Sequence, residues 1–236
     1  MLDLDDTLFL EREYVRSGFD AVRIWAERRF GASDFSERAL EHFERGCRGD
    51  IFNRVLRDYG YTETAEDIRA MIQVYREHMP SISLLPDAEE FLLSVREHYG
   101  LAVITDGPLV CQQQKFRALG LASLVDLGVF TGAWPQGYSK PHRRAFRLVE
   151  RIMGRAGTRY VYIADNPAKD FAAPRALGWG TVRVRRAGSL HAECECPVGL
   201  EPDLEVSDLR ALASTLSERF QRIGPMFHPN PHTEVA

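Results

Sequence analysis

Six acidic residues and two threonines stand at positions where short apolar runs give out, and one lysine stands just before a helical pattern. The first run gives Asp3-Leu-Asp5-Asp6-Thr7, the run 101–104 gives Thr105-Asp106-Gly107, and the run 160–164 gives Asp165-Asn166 with Asp170 five positions on. Ser139-Lys140-Pro141 stands just before a helical pattern, with Pro141 expected in its first turn. Carboxylates crowded at one place repel at several kcal/mol when screening is poor, so such a set needs a cation. Carboxylates, carbonyls and water are the ligands Mg²⁺ takes. A hydroxyl and an ammonium beside that ion suit a phosphoryl group, whose oxygens need neutralising during transfer. One Asp can attack phosphorus while a second handles the leaving-group proton. The chemistry these residue types point to is Mg²⁺-assisted phosphoryl transfer through an aspartyl-phosphate. Asp3 and Asp5 alternate along an extended segment, so both face the site only if the chain turns out of the strand there.

The elements that must hold these residues fall into two patterns. Residues 10–81 read as all-helical. Val15, Phe19, Val22 and Ala26 recur at helical spacing over 11–30, and shorter helices are expected near 35–45, 50–59 and 64–78. After Pro86 the pattern changes. Helices at 87–99, 109–119, 141–154 and 168–177 alternate with apolar runs at 101–104, 125–130, 160–164 and 181–184, and a last helix covers 207–222. Alternating strand and helix predict an α/β fold with a Rossmann-like parallel sheet and helices on both faces. In such a sheet the functional groups gather beyond the carboxyl ends of the strands. The stretch 223–236, rich in Pro and His, is expected to be a mobile tail.

Asp3-Leu-Asp5-Asp6-Thr7-Leu8, Thr105, Lys140 and Asp165-Asn-Pro-Ala-Lys-Asp170 resemble, in order, the four motifs of the haloacid dehalogenase (HAD) superfamily. The likeness runs to about residue 210. The resemblance implies that Asp3 is the nucleophile and a metal ligand. Asp5 is then the general acid and later the base, with its backbone carbonyl on Mg²⁺, and Thr7 supports the loop. Thr105 and the backbone around Asp106 and Gly107 hold phosphoryl oxygens. Lys140 bridges Asp3 and the phosphoryl group. Asp165 completes the metal site, and Asp170 ligates the ion directly or through water. An acid at the position of Asp5 resembles the phosphatase and phosphotransferase branches, because dehalogenases lack it. From Asp5 to Thr105 is 100 positions and from Thr105 to Lys140 only 35, so the helical insert follows the first motif. That is similar to a C1-type cap, which is associated with small soluble phosphate esters. The implied organisation is a HAD-like core of 1–9 and 82–222, a cap of 10–81 and the tail. The implied activity is a phosphatase acting on a small phosphorylated metabolite such as a sugar phosphate or nucleotide.

Other readings stand beside this one. A phosphomutase shares the core and differs only in the fate of the aspartyl-phosphate. A signalling receiver also uses Asp, Thr, Lys and Mg²⁺, but places its phosphoacceptor Asp before Thr and then Lys, whereas here Asp165 follows Lys140. A non-catalytic HAD-like binding protein is the alternative raised by the start of the chain. Only Met1 and Leu2 precede Asp3, while a buried strand needs about five residues. The functional protein is therefore expected to begin several residues upstream. Asp106 also suits a plain turn, and Asp170 suits an ordinary helix N-terminus. His191, Cys194 and Cys196 lack the second pair of a zinc site and read as a surface loop, while Cys47 and Cys111 read as helix residues. Arg12, Tyr14, Arg16 and Arg48 fall in the helical block, as readers of an anionic substrate group or as a solvated face. A net charge of −4 gives no global reason to bind nucleic acid or an anionic membrane, and no apolar run approaches a membrane span. Four cysteines in 236 residues make no disulfide framework, so a reduced, cytoplasmic protein is expected. Oligomeric state leaves no mark in the sequence.

Overall fold

The computed structural model describes residues 1–154, 158–219 and 233–235. The chain divides into two compact units, Arg12–Ile82 and a second made of Met1–Glu11 with Ser83–Ala236.

The first unit is helical: α1 (Glu11–Phe30), α2 (Phe35–Glu44), α3 (Ile51–Asp58) and α4 (Ala65–Glu77). Tyr14, Val15, Phe19, Val22 and Ala26 recur every three or four residues and form the buried stripe of α1. Phe19 meets Phe43 and Phe52 edge-on, with ring centroids 6.5 and 6.2 Å apart. Gly18 has no Cβ because one would lie 2.4 Å from the ring of Tyr75. Thr64 and Asp67 close a reciprocal capping box at the start of α4. Cys47, expected on a helix, lies in the loop after α2, where Gly46 and Gly49 take positive φ and end the helical run.

The second unit is α/β. In chain order it runs α5 (Pro86–Val95), β1 (Ala102–Thr105), α6 (Leu109–Ala118), β2 (Leu127–Phe130), α7 (Arg144–Met153), β3 (Val161–Ala164), α8 (Ala172–Ala176), β4 (Gly180–Val184), β5 (Leu204–Val206), α9 (Leu212–Arg219) and β6 (Thr233–Val235). All strand pairs are parallel, in the orders β1-β2-β6 and β3-β4-β5. The segment Met1–Asp3 joins the two sets. Leu2 bridges Val103 on one side and Ile163 on the other. Leu2 N donates to Ala102 O at 2.8 Å, Ile104 N to Leu2 O at 2.9 Å, and Asp3 N to Ile163 O at 2.9 Å. The short segment thus occupies the centre of the sheet, and Asp3 is carried at the carboxyl end of its neighbours. On one face Ile104, Val129, Phe146, Val149, Tyr162, Phe171 and Trp179 make a continuous apolar core.

Several boundaries move. The helix expected from 141 starts at Arg144, so Pro141 lies outside its first turn, behind a cis Lys140–Pro141 bond. The helix expected from 168 is only Ala172–Ala176, so Asp170 is a loop residue and not a helix N-terminus. Strands β5 and β6 were not expected from the sequence. Thr233–Val235 pairs with β2 by backbone, so this part of the expected tail is a strand. The remainder of that tail, and 220–222 of the last helix, lie outside the described residues. No helix among the described residues is long and apolar enough to cross a membrane.

Candidate active site

The chain does turn after Asp3. Leu8 N donates to Leu4 O at 3.0 Å, and Asp6 takes φ +54°, a left-handed conformation that Asp tolerates. Asp6 pins the turn at both ends. Its Oδ1 accepts from Glu11 N at 2.8 Å, and its Oδ2 accepts from Leu190 N at 2.7 Å. The Thr7 carbonyl accepts from Arg186 Nε and Nη2 at 3.1 and 2.9 Å, while the buried Thr7 hydroxyl has no hydrogen-bond partner among the described residues.

Four of the expected residues meet in one buried cluster. Lys140 Nζ lies 2.7 Å from Asp3 Oδ1 and 2.8 Å from Asp170 Oδ1, and donates to Tyr162 OH at 3.0 Å. Asp3, Asp165 and Asp170 each offer a carboxylate oxygen within 4.8 Å of the others. Burial works against the charge on Asp3, but Lys140 and Lys169 hold its carboxyl below the usual range. Burial also opposes the charge on Lys140, and Asp170 and Asp3 outweigh it, so the ammonium persists far above its ordinary range. Asp165 fares differently. Burial, then Asp3 and Asp170, push it up to about 9. Its Oδ2 is buried without a hydrogen-bond partner among the described residues. Burial raises Asp170 to about 6, against the pull of Lys140. Three carboxylates against one bridging ammonium leave this pocket short of positive charge.

The remaining expected residues lie around this cluster. Thr105 is fully buried and its hydroxyl donates to Gln112 Oε1 at 2.9 Å. Asp106 is more than a turn residue: its Oδ1 accepts from Thr131 Oγ1 at 2.6 Å and from Lys140 N at 3.1 Å, bracing the lysine's backbone. Gly107 has φ +130°, and a Cβ on Gly132 would lie 2.0 Å from the Gly107 carbonyl oxygen, so both positions demand glycine. The Asp5 carboxylate is not part of the three-acid cluster. It accepts instead from Lys115 Nζ at 2.6 Å.

Lys115, Lys169, Tyr162 and Arg186 were not singled out in the sequence. Lys169 is about one-third exposed, with Nζ 3.7 Å from Asp106 Oδ2. It sits inside the motif string, one residue before Asp170, and a cation there was open to notice. Lys115 shares a buried helical face with Cys111, Gln112 and Phe116, and a lysine on an apolar stripe is itself a signal. Cys111 lies on its helix as expected. His191 lies in a loop as expected, and its Nε2 is 3.0 Å from Asn166 Nδ2. His191, Cys194 and Cys196 form no metal-ligand group among the described residues.

Comparison with known proteins places this geometry in a family. A family model described as haloacid dehalogenase-like hydrolase matches residues 1–178. A glyceraldehyde 3-phosphate phosphatase of Methanocaldococcus jannaschii is 27% identical over 202 residues, 78% of this chain and 83% of its own. The HAD-hydrolase YfnB of Bacillus subtilis, solved bound to magnesium, superposes with a TM-score of 0.63 at 18% identity, covering 91% of this chain and 96% of YfnB. An L-2-haloacid dehalogenase of Xanthobacter autotrophicus gives 0.59 at 20% identity, covering 93% of this chain and 98% of its own. At these identities the two structures speak for the fold, which carries more than one chemistry. With the family model spanning most of its length, the chain belongs to the haloacid dehalogenase-like hydrolases.

Proposed function

We propose that this hydrolase is a Mg²⁺-dependent phosphatase that cleaves a small phosphorylated metabolite, a sugar phosphate, nucleotide or similar ester, through an aspartyl-phosphate on Asp3. The observation that carries the reading is the buried cluster itself. Asp3 is held anionic by Lys140 while Asp165 keeps an unpartnered carboxylate oxygen beside it. An all-oxygen donor set with a deficit of positive charge fits a hard divalent cation. Asp3, Asp165, Asp170 and the carbonyl of Asp5 would hold Mg²⁺, which when bound offsets the charge of the phosphoryl oxygens.

The chain's own residues divide the rest. Asp3 attacks phosphorus, and the bond from phosphorus to the ester oxygen breaks. Asp5 gives that oxygen a proton. Asp5 then takes a proton from the water that attacks the phosphorus, which releases phosphate and restores Asp3. Lys140 balances charge on Asp3 and on the transferred group. Thr105, its hydroxyl turning from Gln112, and the backbone at Asp106 and Gly107 receive phosphoryl oxygens. The helical unit is read as the C1-type cap that its insertion after the first motif implies. The glyceraldehyde 3-phosphate phosphatase relative supports both the reaction and a small substrate.

A panel of phosphorylated metabolites, glyceraldehyde 3-phosphate among them, tests the reading by phosphate release with Mg²⁺ and with a chelator. Release that needs Mg²⁺ is expected. No release from any ester, at any Mg²⁺ concentration, sinks it.

A further inference from the structure

Helix α6 presents two polar side chains to the motif residues from one face. Gln112 takes the hydroxyl of Thr105 at 2.9 Å, and one turn later Lys115 reaches Asp5 at 2.6 Å. The Lys115 side chain is only 4% exposed, and its Nζ also stands 5.8 Å from the centroid of the Phe9 ring. A buried ammonium must end on an acceptor, and Oδ1 of Asp5 is one it reaches. The Asp5 side chain is itself 19% exposed. The carboxylate is held at Oδ1 from within the fold while its side chain still reaches solvent.

We propose that Lys115 is a positioning residue: it fixes the Asp5 carboxylate through Oδ1 and so presents Oδ2 to the leaving-group oxygen and to the attacking water. The inference rests on the phosphatase reading and deepens it. The turn 4–8 is pinned through Asp6 and Thr7, but those contacts fix backbone and leave the Asp5 side-chain torsions to be set by something else. A lysine on a packed helix supplies that restraint. A misplacement of about 1 Å in a reacting group can cost about a hundredfold in rate.

The test is a double-mutant cycle in steady-state hydrolysis of p-nitrophenyl phosphate with Mg²⁺. This ester is chosen because its leaving group departs readily without a proton, which keeps Asp5→Asn measurable. Lys115→Met is expected to lower kcat by about 10- to 100-fold, with KM within about twofold. Lys115→Arg recovers part of the loss. In the Asp5→Asn background the same Lys115→Met change alters kcat by less than about twofold, because the residue it acts through is already disabled. Equal losses in both backgrounds, or no loss in the wild-type background, overturn the proposal. Should Lys115→Met not fold, Lys115→Gln carries the same cycle. An active wild type with additive losses defeats this inference alone, whereas a wild type inert to every ester defeats the phosphatase reading and this inference with it.

Discussion

Two sets of buried charges sit within one α/β unit, and they are satisfied in opposite ways. Arg186 ends on the carbonyl of Thr7 and on Asp87 Oδ2 at 2.7 Å, and Asp87 in turn accepts from Leu209 N at 2.8 Å. Arg183 donates to the carbonyls of Asp165, His191 and Cys194 at 3.3, 2.9 and 2.7 Å. These guanidinium groups meet acceptors the fold already supplies. The cluster of Asp3, Asp165, Asp170 and Lys140 instead ends with a carboxylate oxygen that meets none among the described residues. Burying a charge with its partners makes scaffold, whereas burying one without them leaves it uncompensated. The two regions also touch, because Arg183 holds the carbonyl of Asp165 from behind.

If the cluster is the reacting end, its largest effect must be on rate and not on stability. Asp3→Asn is expected to lower phosphate release by about 10⁴-fold, equivalent to about 5 kcal/mol in the barrier, while the protein stays folded by circular dichroism. A variant that retains even a tenth of the activity would remove Asp3 from the chemistry and erase the contrast.

The scaffold region should show the reverse. Arg186→Met strands Asp87 and the Thr7 carbonyl in the interior, and is expected to cost about 3–5 kcal/mol of unfolding free energy in urea titrations. The part of Asp87 bonded to Leu209 remains, so the lower half of that range is the first place to look. A cost under about 1 kcal/mol would mean that the buried pair is no more than a surface bridge, and the distinction between the two regions would blur.

How much of this was legible beforehand differs between the same two regions. The acids and Lys140 were readable because chemistry fixes their type and the alternation of strand and helix fixes their edge. The α/β class followed from apolar runs short enough for strands and long gaps periodic enough for helices. Arg183 and Arg186 were not readable, since most acceptors of Arg183 are backbone carbonyls that any residue supplies, and the acid that Arg186 meets, Asp87, lies far away in the sequence. The first strand looked too short by length, but pairing on both sides places Met1–Asp3 in the sheet despite its brevity. Strand β5 escaped because Leu204-Glu-Val206 has one apolar residue on each side of a charge, a pattern too brief to register. Helix α8 was overestimated because Asp170 turns inward to Lys140 and Asn166 N, which uses the carboxylate that would have capped it.

The smallest expected effect separates the regions by pH. An acid whose carboxyl is raised on folding keeps a proton that the unfolded chain has released, so stability falls as pH rises between the two values. Asp165 is raised to about 9, with Asp170 at about 6 and Glu11 at about 7, the last through burial and the charge of Asp5. Metal-free protein should therefore lose stability as pH climbs from about 5 towards 9. Asp165→Asn removes the largest of these contributions and is expected to raise metal-free stability at pH 8 by about 1–2 kcal/mol. If Mg²⁺ binds through the Asp165 carboxylate, as proposed, its effect on the wild-type melting temperature should be larger at pH 9 than at pH 6 and vanish in Asp165→Asn. Thermal melts with and without Mg²⁺ read all of this without a substrate. A variant that is less stable than wild type at pH 8 without metal would show that Asp165 is satisfied after all, and that its unpartnered oxygen is not where the missing charge belongs.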